Sequence, residues 1–211
     1  MSFFESLSNY QLDILKEIGN IGSGNAATAL SKLLNRKVDM KVPAVRVVDF
    51  DEMMNMVGGP EVTIVSVFLR IQGEAPGSMF FVLTPEEAET FVHQVTGSEQ
   101  FSLQTPPFEE IGLSALHEVG NILAGSYLSA LSDFTSINMQ PSVPSLHMDM
   151  AGAILMQGLV EISQESDYAI IIDTTINEQD NKNETIQGHF LLLPDPDSFK
   201  RIFAALGVKD L

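Results

Sequence analysis

Residues 15–35 (LKEIGNIGSGNAATALSKLLN) and 116–136 (LHEVGNILAGSYLSALSDFTS) align without a gap at an offset of 101. Self-similarity of this kind constrains a fold more than any single residue does. Glu17 meets Glu118, Gly19 meets Gly120, Asn20 meets Asn121, Gly24 meets Gly125, and downstream Pro43 meets Pro144. Nearer the end of each copy, GSMFFVLTP (77–85) resembles QGHFLLLPD (187–195), with Pro85 and Pro194 now 109 apart. The second copy thus carries eight further residues, and the polar run INEQDNKNET (176–185) is their expected place, as a longer hairpin loop. A period near 100 is too long for a solenoid. The reading is one domain over 1–211 built from two internal repeats, about 8–100 and 106–207, that share a core.

Composition narrows the function classes. A chain of 211 residues with 45% hydrophobic and 18% charged residues has enough apolar surface for a packed globule. It contains no cysteine, which excludes disulfide scaffolds, thiolate metal sites and cysteine nucleophiles. Eleven basic against 28 acidic residues leave a net charge of −17, and no Lys or Arg lies between Arg70 and Lys182. Nucleic acid is therefore not an expected partner. The start, MSFFESLSNYQL, lacks the pattern of a signal peptide, and no apolar run approaches the ~18 residues of a membrane span, so membrane insertion is not expected either. The expected setting is cytoplasmic.

Each copy reads as a long helix, a strand, a short helical turn, two strands and a helix. Ser8-x-x-Gln11 suits a capping box before the first helix, and Thr105-Pro106 a start for its counterpart. Leu15, Ile18, Gly22, Ala26, Ala29 and Leu33 recur at helical spacing, as do Leu116, Val119, Leu123, Tyr127, Ala130 and Phe134. Strands are expected at 44–50, 61–72, 77–84, 145–150, 157–163, 168–176 and 185–193. Pro85-Glu86-Glu87 and Asp195-Pro196-Asp197 suit helix starts, and Gly97 and Gly207 helix stops. Strands joined by hairpins, with helices outside them, imply an α+β fold with a largely antiparallel sheet and two long surface helices.

The polar faces of those helices carry the chemistry. At about 100° per residue, Asp13, Glu17, Asn20, Gly24, Ala27 and Ser31 fall within roughly 40° of one line, opposite the apolar stripe. The matching line is Ser114, Glu118, Asn121, Gly125, Leu128 and Ser132. Each helix thus offers a carboxylate and a carboxamide one turn apart, followed in the first copy by small residues that leave room for another backbone. Glu and Asn are ordinary on a solvated helix face, but Gly and Asn are poor helix formers, and both copies keep them at the same place.

Competing motifs fail. GNIGSGN is glycine-rich, yet the helical period runs through it, whereas a phosphate-cradling loop follows a strand and opens a helix. HEVGN (117–121) has Asn121 where a zinc protease has its second His, and the first copy has Lys16 in place of His117.

The pattern Asp/Ser-x3-Glu-x2-Asn-x22-Pro occurs twice, as Asp13, Glu17, Asn20, Pro43 and as Ser114, Glu118, Asn121, Pro144. It resembles the signature of the CheC-type chemotaxis phosphatases, a family that includes CheX-like and FliY-like proteins. Two complete motifs point away from the CheX-like members, and a chain ending at Leu211 without a further switch domain points away from the FliY-like ones. The resemblance implies hydrolysis of the aspartyl phosphate of the response regulator CheY. It gives Asn20 and Asn121 the task of orienting the attacking water, and Glu17 and Glu118 that of pairing with the regulator's lysine. Asp13 and Ser114 read as docking residues, Pro43 and Pro144 as structural ones. No cofactor is expected on the chain itself, since Mg²⁺ comes with the phosphorylated regulator. The family also implies a second partner, the receptor deamidase CheD, placed on the second copy, where HMDMAGAILMQGL (147–159) and the C-terminal helix from Asp197 differ most from the first. The alternative is a binding module that sequesters phosphorylated CheY or docks on the flagellar switch without catalysis. At −17 the chain repels an acidic partner at long range, so added salt is expected to leave association unchanged or slightly faster.

Overall fold

The computed structural model describes residues 9–98, 100–104, 106–159, 168–178 and 185–207. The first half of the chain runs α1 (Asn9–Leu34), β1 (Val38–Lys41), β2 (Val45–Asp49), α2 (Phe50–Met56), β3 (Thr63–Gly73), β4 (Gly77–Leu83) and α3 (Pro85–Thr96). The second half follows the same order with α4 (Glu110–Thr135), β5 (Met139–Pro141), β6 (Ser145–Met150), α5 (Ala151–Leu159), β7 (Tyr168–Glu178), β8 (Thr185–Pro194) and α6 (Pro196–Ala205).

Local chemistry sets several boundaries. Thr84 and Glu87 form a reciprocal capping box at the start of α3, with Pro85 at its first position and Gly97 closing it in the left-handed region at φ 70°. Asp49 caps α2 by accepting the Glu52 N–H at 2.7 Å. Asp195 precedes Pro196 at α6, but its carboxylate accepts from Arg70 at 2.6 Å instead of capping the helix. Three expectations need correction. Helix α4 begins at Glu110 rather than at Thr105–Pro106, because Pro107 disfavours a helical Pro106; Ser8 and Thr105 themselves lie outside the described residues. Residues 157–159 end α5 instead of opening the strand expected at 157–163, whose remaining residues lie outside the described ones. The short strands β1 and β5, four and three residues long, were not anticipated.

The described strands form one sheet in the order β1-β7-β8-β4-β3-β5, with β2 also on β7 and β6 also on β3. Every pairing is antiparallel, so the fold is α+β as expected. Each half supplies one hairpin to the middle, β3–β4 or β7–β8, and lends its short strands to the other half. Val45 of β2 faces Ile172, while Leu146 of β6 faces Val67, so β7 runs 105 residues ahead of β3. Val67 of β3 faces Phe81 of β4, and its counterpart Ile172 of β7 faces Phe190 of β8, so β8 runs 109 residues ahead of β4. Four of the eight further residues therefore precede β7 and only four fall between β7 and β8, which corrects their placement wholly at 176–185.

Alternation along the strands feeds two cores. Val65, Val67, Leu69 and Ile71 face a larger core roofed by α1, α3, α4 and α6. Ile64, Phe80, Val82, Ile171 and Leu191 face a smaller one under α2 and α5. Helices α1 and α4 pack on each other at Gly22, where a Cβ would stand 2.9 Å from the Tyr127 Cα. The Tyr127 ring lies against Phe190 at 4.3 Å, and Phe190 stacks on Phe81 at 4.7 Å. The Tyr127 hydroxyl meets the Thr174 hydroxyl at 3.0 Å.

Candidate active site

The motif residues of α1 and α4 stand over buried neighbours. Leu15 and Ile18 turn into the core on α1, as do Leu116 and Val119 on α4. That fixes the rotation of each helix, and Asp13, Glu17 and Asn20, like Ser114, Glu118 and Asn121, are left exposed. Glu and Asn three positions apart on one helix lie about 5–6 Å from each other at Cβ. Ser23 Oγ donates only to the Asn20 backbone carbonyl, at 2.9 Å; among the described residues, no hydrogen bond or ion pair engages the side chains of Glu17, Asn20, Glu118 or Asn121. Their polar atoms face solvent.

The glycine beside each Asn has a packing role. A Cβ on Gly120 would come within 2.5 Å of Val67, and one on Gly19 within 3.3 Å of Val42. These glycines let the helices sit close on the strands beneath. Gly24 and Gly125 differ: nothing lies within 4 Å of a Cβ built on either. Past that turn the expected open line is interrupted. Ser31 accepts the Val38 N–H at 2.9 Å, Ser132 donates to the Ile137 carbonyl at 2.6 Å, and Leu128 is buried at 1% exposure. The open part of each line runs from Asp13 to Gly24 and from Ser114 to Gly125.

The motif prolines lie away from these faces, in the links before β2 and β6. Pro43 is exposed and Pro144 buried. His117 Nε2 donates to the Pro144 carbonyl at 2.7 Å, tying α4 to the link before β6. The first half has the exposed Lys16 at the matching position, so the two halves anchor their helices differently. His117 is thus engaged in a structural bond, and no group of three or more His, Asp or Glu among the described residues is placed to hold a metal.

Two features escaped the sequence reading. Tyr10 and Ile111 are 69% and 63% exposed, at matching positions seven residues before Glu17 and Glu118, hence on the same helical line. An open groove of about 570 Å³ also runs beside Ser114 and His117, lined by Leu103, Phe108, Leu113 and Met148. Exposed apolar side chains are unremarkable singly. Their recurrence beside both polar pairs is the signal, and only burial values reveal it.

The site is thus an unengaged carboxylate–carboxamide pair on each of two surface helices of an antiparallel α+β domain. The CheC-like family matches at residues 11–47 and again at 111–148, stretches that enclose both motifs. The chain is 45% identical over 207 residues to the CheY-P phosphatase CheC of Bacillus subtilis, covering 98% of this chain and 99% of that protein. It is 32% identical over 144 residues to the flagellar motor switch phosphatase FliY of the same organism, covering 68% of this chain and 37% of that one. The crystal structure of Thermotoga maritima FliY superposes with a TM-score of 0.73 at 21% identity, covering 97% of this chain and 99% of that one. The chain belongs to the CheC-like family.

Proposed function

We propose that the chain is a phosphatase that hydrolyses the aspartyl phosphate of the chemotaxis response regulator CheY. The observation that carries the reading is the exposed Glu–Asn pair, present twice without an intramolecular partner, on a chain alike over nearly its whole length to a CheY-P phosphatase. In the reaction a water oxygen forms a bond to phosphorus as the bond to the aspartyl oxygen breaks, leaving carboxylate and inorganic phosphate. A carboxamide suits this task, because its oxygen accepts from water while its NH₂ donates. Asn20 and Asn121 hold the water in line, and Glu17 and Glu118 fix the approach by pairing with the regulator's lysine. The second motif has no Lys or Arg beside it to neutralise the phosphoryl group. Charge stabilisation there falls to the substrate, whose Mg²⁺ and lysine are parts of the regulator.

The shared element order and matching strand registers support a duplicated unit with two independently acting sites. We assign the second partner, CheD, to the second half around β6, α5 and the C-terminal helix from Asp197; the exposed Met148, Met150 and Met156 support that choice. No described helix is long and apolar enough to cross a membrane, and the reading places the chain in the cytoplasm with its regulator. The test is release of inorganic phosphate from phosphorylated CheY at constant Mg²⁺. Catalytic amounts of protein should discharge an excess of regulator. Asn20→Ala and Asn121→Ala should each leave some turnover and the double variant almost none. Stoichiometric binding without phosphate release would put the non-catalytic binding module in its place.

A further inference from the structure

The two motif helices differ sharply in electrostatic surroundings, although their spacing matches. Residues 9–46 contain Lys16, Lys32, Arg36, Lys37, Lys41 and Arg46 against Asp13, Glu17 and Asp39, a local charge of +3. The matching residues 110–147 contain no Lys or Arg and carry Glu110, Glu118 and Asp133, a local charge of −3. In a chain of −17, more than half the basic residues thus gather around one motif. Arg46 is committed to Asp173 at 2.6 Å. Lys32, Lys37 and Lys41 are exposed, and no ion pair joins them to a described residue.

Lys32 and Lys37 line an open concavity, Asp39 lines it with them, and Lys41 follows its Met40 at the end of β1. A groove of about 620 Å³ starts at Gly24, one turn beyond Asn20, and passes Thr28, Ser31, Lys32 and Lys37 to reach Met40 of β1. Lys32 lies in the last turn of α1, where the helix dipole by itself accounts for a cation. Lys37 and Lys41 lie beyond the helix, in the link and at the end of β1, where the dipole gives no reason for them. At the matching positions in the second half stand Asp133, Asn138 and Ser142.

We propose that this groove is a cationic docking surface for the acidic face around the phosphorylated carboxylate of the regulator, and that it serves the first motif only. The proposal rests on the phosphatase reading above and assigns its two sites different recognition. A receiver that binds Mg²⁺ beside an aspartyl phosphate presents clustered negative charge, and the lysines meet it at contact range while the rest of the molecule repels it. Because both motifs sit on one protein, the global repulsion is common to them. The difference between the two sites isolates the local lysines. It is also the quantity that salt controls, since the Debye length shrinks from about 30 Å at 0.01 M to about 8 Å at 0.15 M.

The experiment uses two single-site proteins in the full chain. Asn121→Ala works through the first motif and Asn20→Ala through the second. Phosphate release from phosphorylated CheY is measured as KM and kcat across a sodium chloride series. The KM of the first-motif protein should rise with salt several-fold more than that of the second-motif protein. Adding Lys32→Glu, Lys37→Glu and Lys41→Glu together should raise the KM of the first-motif protein about tenfold with kcat retained, and leave the second-motif protein unchanged. Lys→Gln at the three positions should give an intermediate shift, and unchanged far-ultraviolet circular dichroism confirms that the variants fold. Equal KM shifts in both single-site proteins, or none in either, would overturn the proposal. So would loss of binding to anionic lipid vesicles in the triple variant with KM unchanged, which would assign the lysines to a membrane. If the parent protein itself releases no phosphate, the phosphatase reading fails instead, an outcome read before any lysine is changed.

Discussion

Replacing both open glycines, Gly24→Ala and Gly125→Ala, should make the protein more stable and a poorer catalyst. Neither residue lies at positive φ, both sit in helix interiors, and a Cβ at either meets nothing within 4 Å. Nothing in the fold then opposes the gain in helix propensity, about 1 kcal/mol per Gly→Ala change. Two such changes give about 2 kcal/mol, which for a domain of this size raises Tm by roughly 4–8 °C. Each methyl also stands on the proposed docking line one turn past Asn20 or Asn121, where the proposal has the regulator's backbone approach. Intrusion into a packed contact costs about 1–3 kcal/mol, so kcat/KM for phosphorylated CheY should fall roughly tenfold. Scanning calorimetry and steady-state phosphate release measure the two effects on one sample. A higher Tm with unchanged kcat/KM would show that no partner approaches these turns, and the docking face would have to end at Asn20 and Asn121. Absence of a Tm gain would contradict the open space above the glycines.

The neighbouring glycine should behave in the opposite way: Gly120→Ala drives a methyl into Val67 and should cost about 1–3 kcal/mol in urea melts, with Gly19→Ala costing less because Val42 is 3.3 Å away. Glu17→Gln with Glu118→Gln should weaken both docking and turnover, whereas Asn20→Ala with Asn121→Ala should lower kcat while binding of phosphorylated CheY is retained. Asn20→Asp with Asn121→Asp preserves shape, yet it loses the donor and sets a negative charge beside the phosphoryl group; activity at the parental level would refute the carboxamide role. Burial raises the Tyr127 hydroxyl to about pKa 12, the bond to Thr174 offsetting part of that rise. The folded state therefore holds its proton longer than the unfolded chain, so stability present below about pH 10 is lost as pH climbs toward 12. Tyr127→Phe should cost about 1 kcal/mol at neutral pH and flatten that alkaline loss in urea melts at several pH values.

The helices and central hairpins were legible in the sequence because their signals are local. Spacing of 3.6 places Leu15, Ile18 and Ala26 inward, and alternation does the same for Val65, Val67 and Leu69. Strands β1 and β5 were hidden because VDMK and MQP are short and find their strand partners, β7 and β3, only in the opposite half. The four exposed Glu and Asn residues could be placed from the angular arithmetic alone. Leu128 could not, since on the helical wheel it shares their line and only the packing of α4 buries it. The Gly-Asn coincidence that drew attention to the motif divides in the structure into a glycine shaped by the sheet and an asparagine free for a partner. Lys32 and Lys37, which line the first groove, and Lys41 beyond it lie in a helix, a link and a strand, and no periodicity connects them.

The exchange of short strands between halves bears on how the molecule can be divided. β3 and β7, each 11 residues long, find a mate within their own half on one side only; the other side is closed by strands from the opposite half. A fragment ending near residue 100 would expose both edges of its hairpin, β3 where β5 and β6 pair and β4 where β8 pairs, a template for indiscriminate association. Two such fragments could close each other only by swapping strands, at a cost set by their concentration. Joining both in one chain replaces that cost with an effective concentration in the millimolar range. The helix bearing a silenced motif therefore cannot be dispensed with: it roofs the shared core, and its half supplies the strands that close the sheet around the site still working.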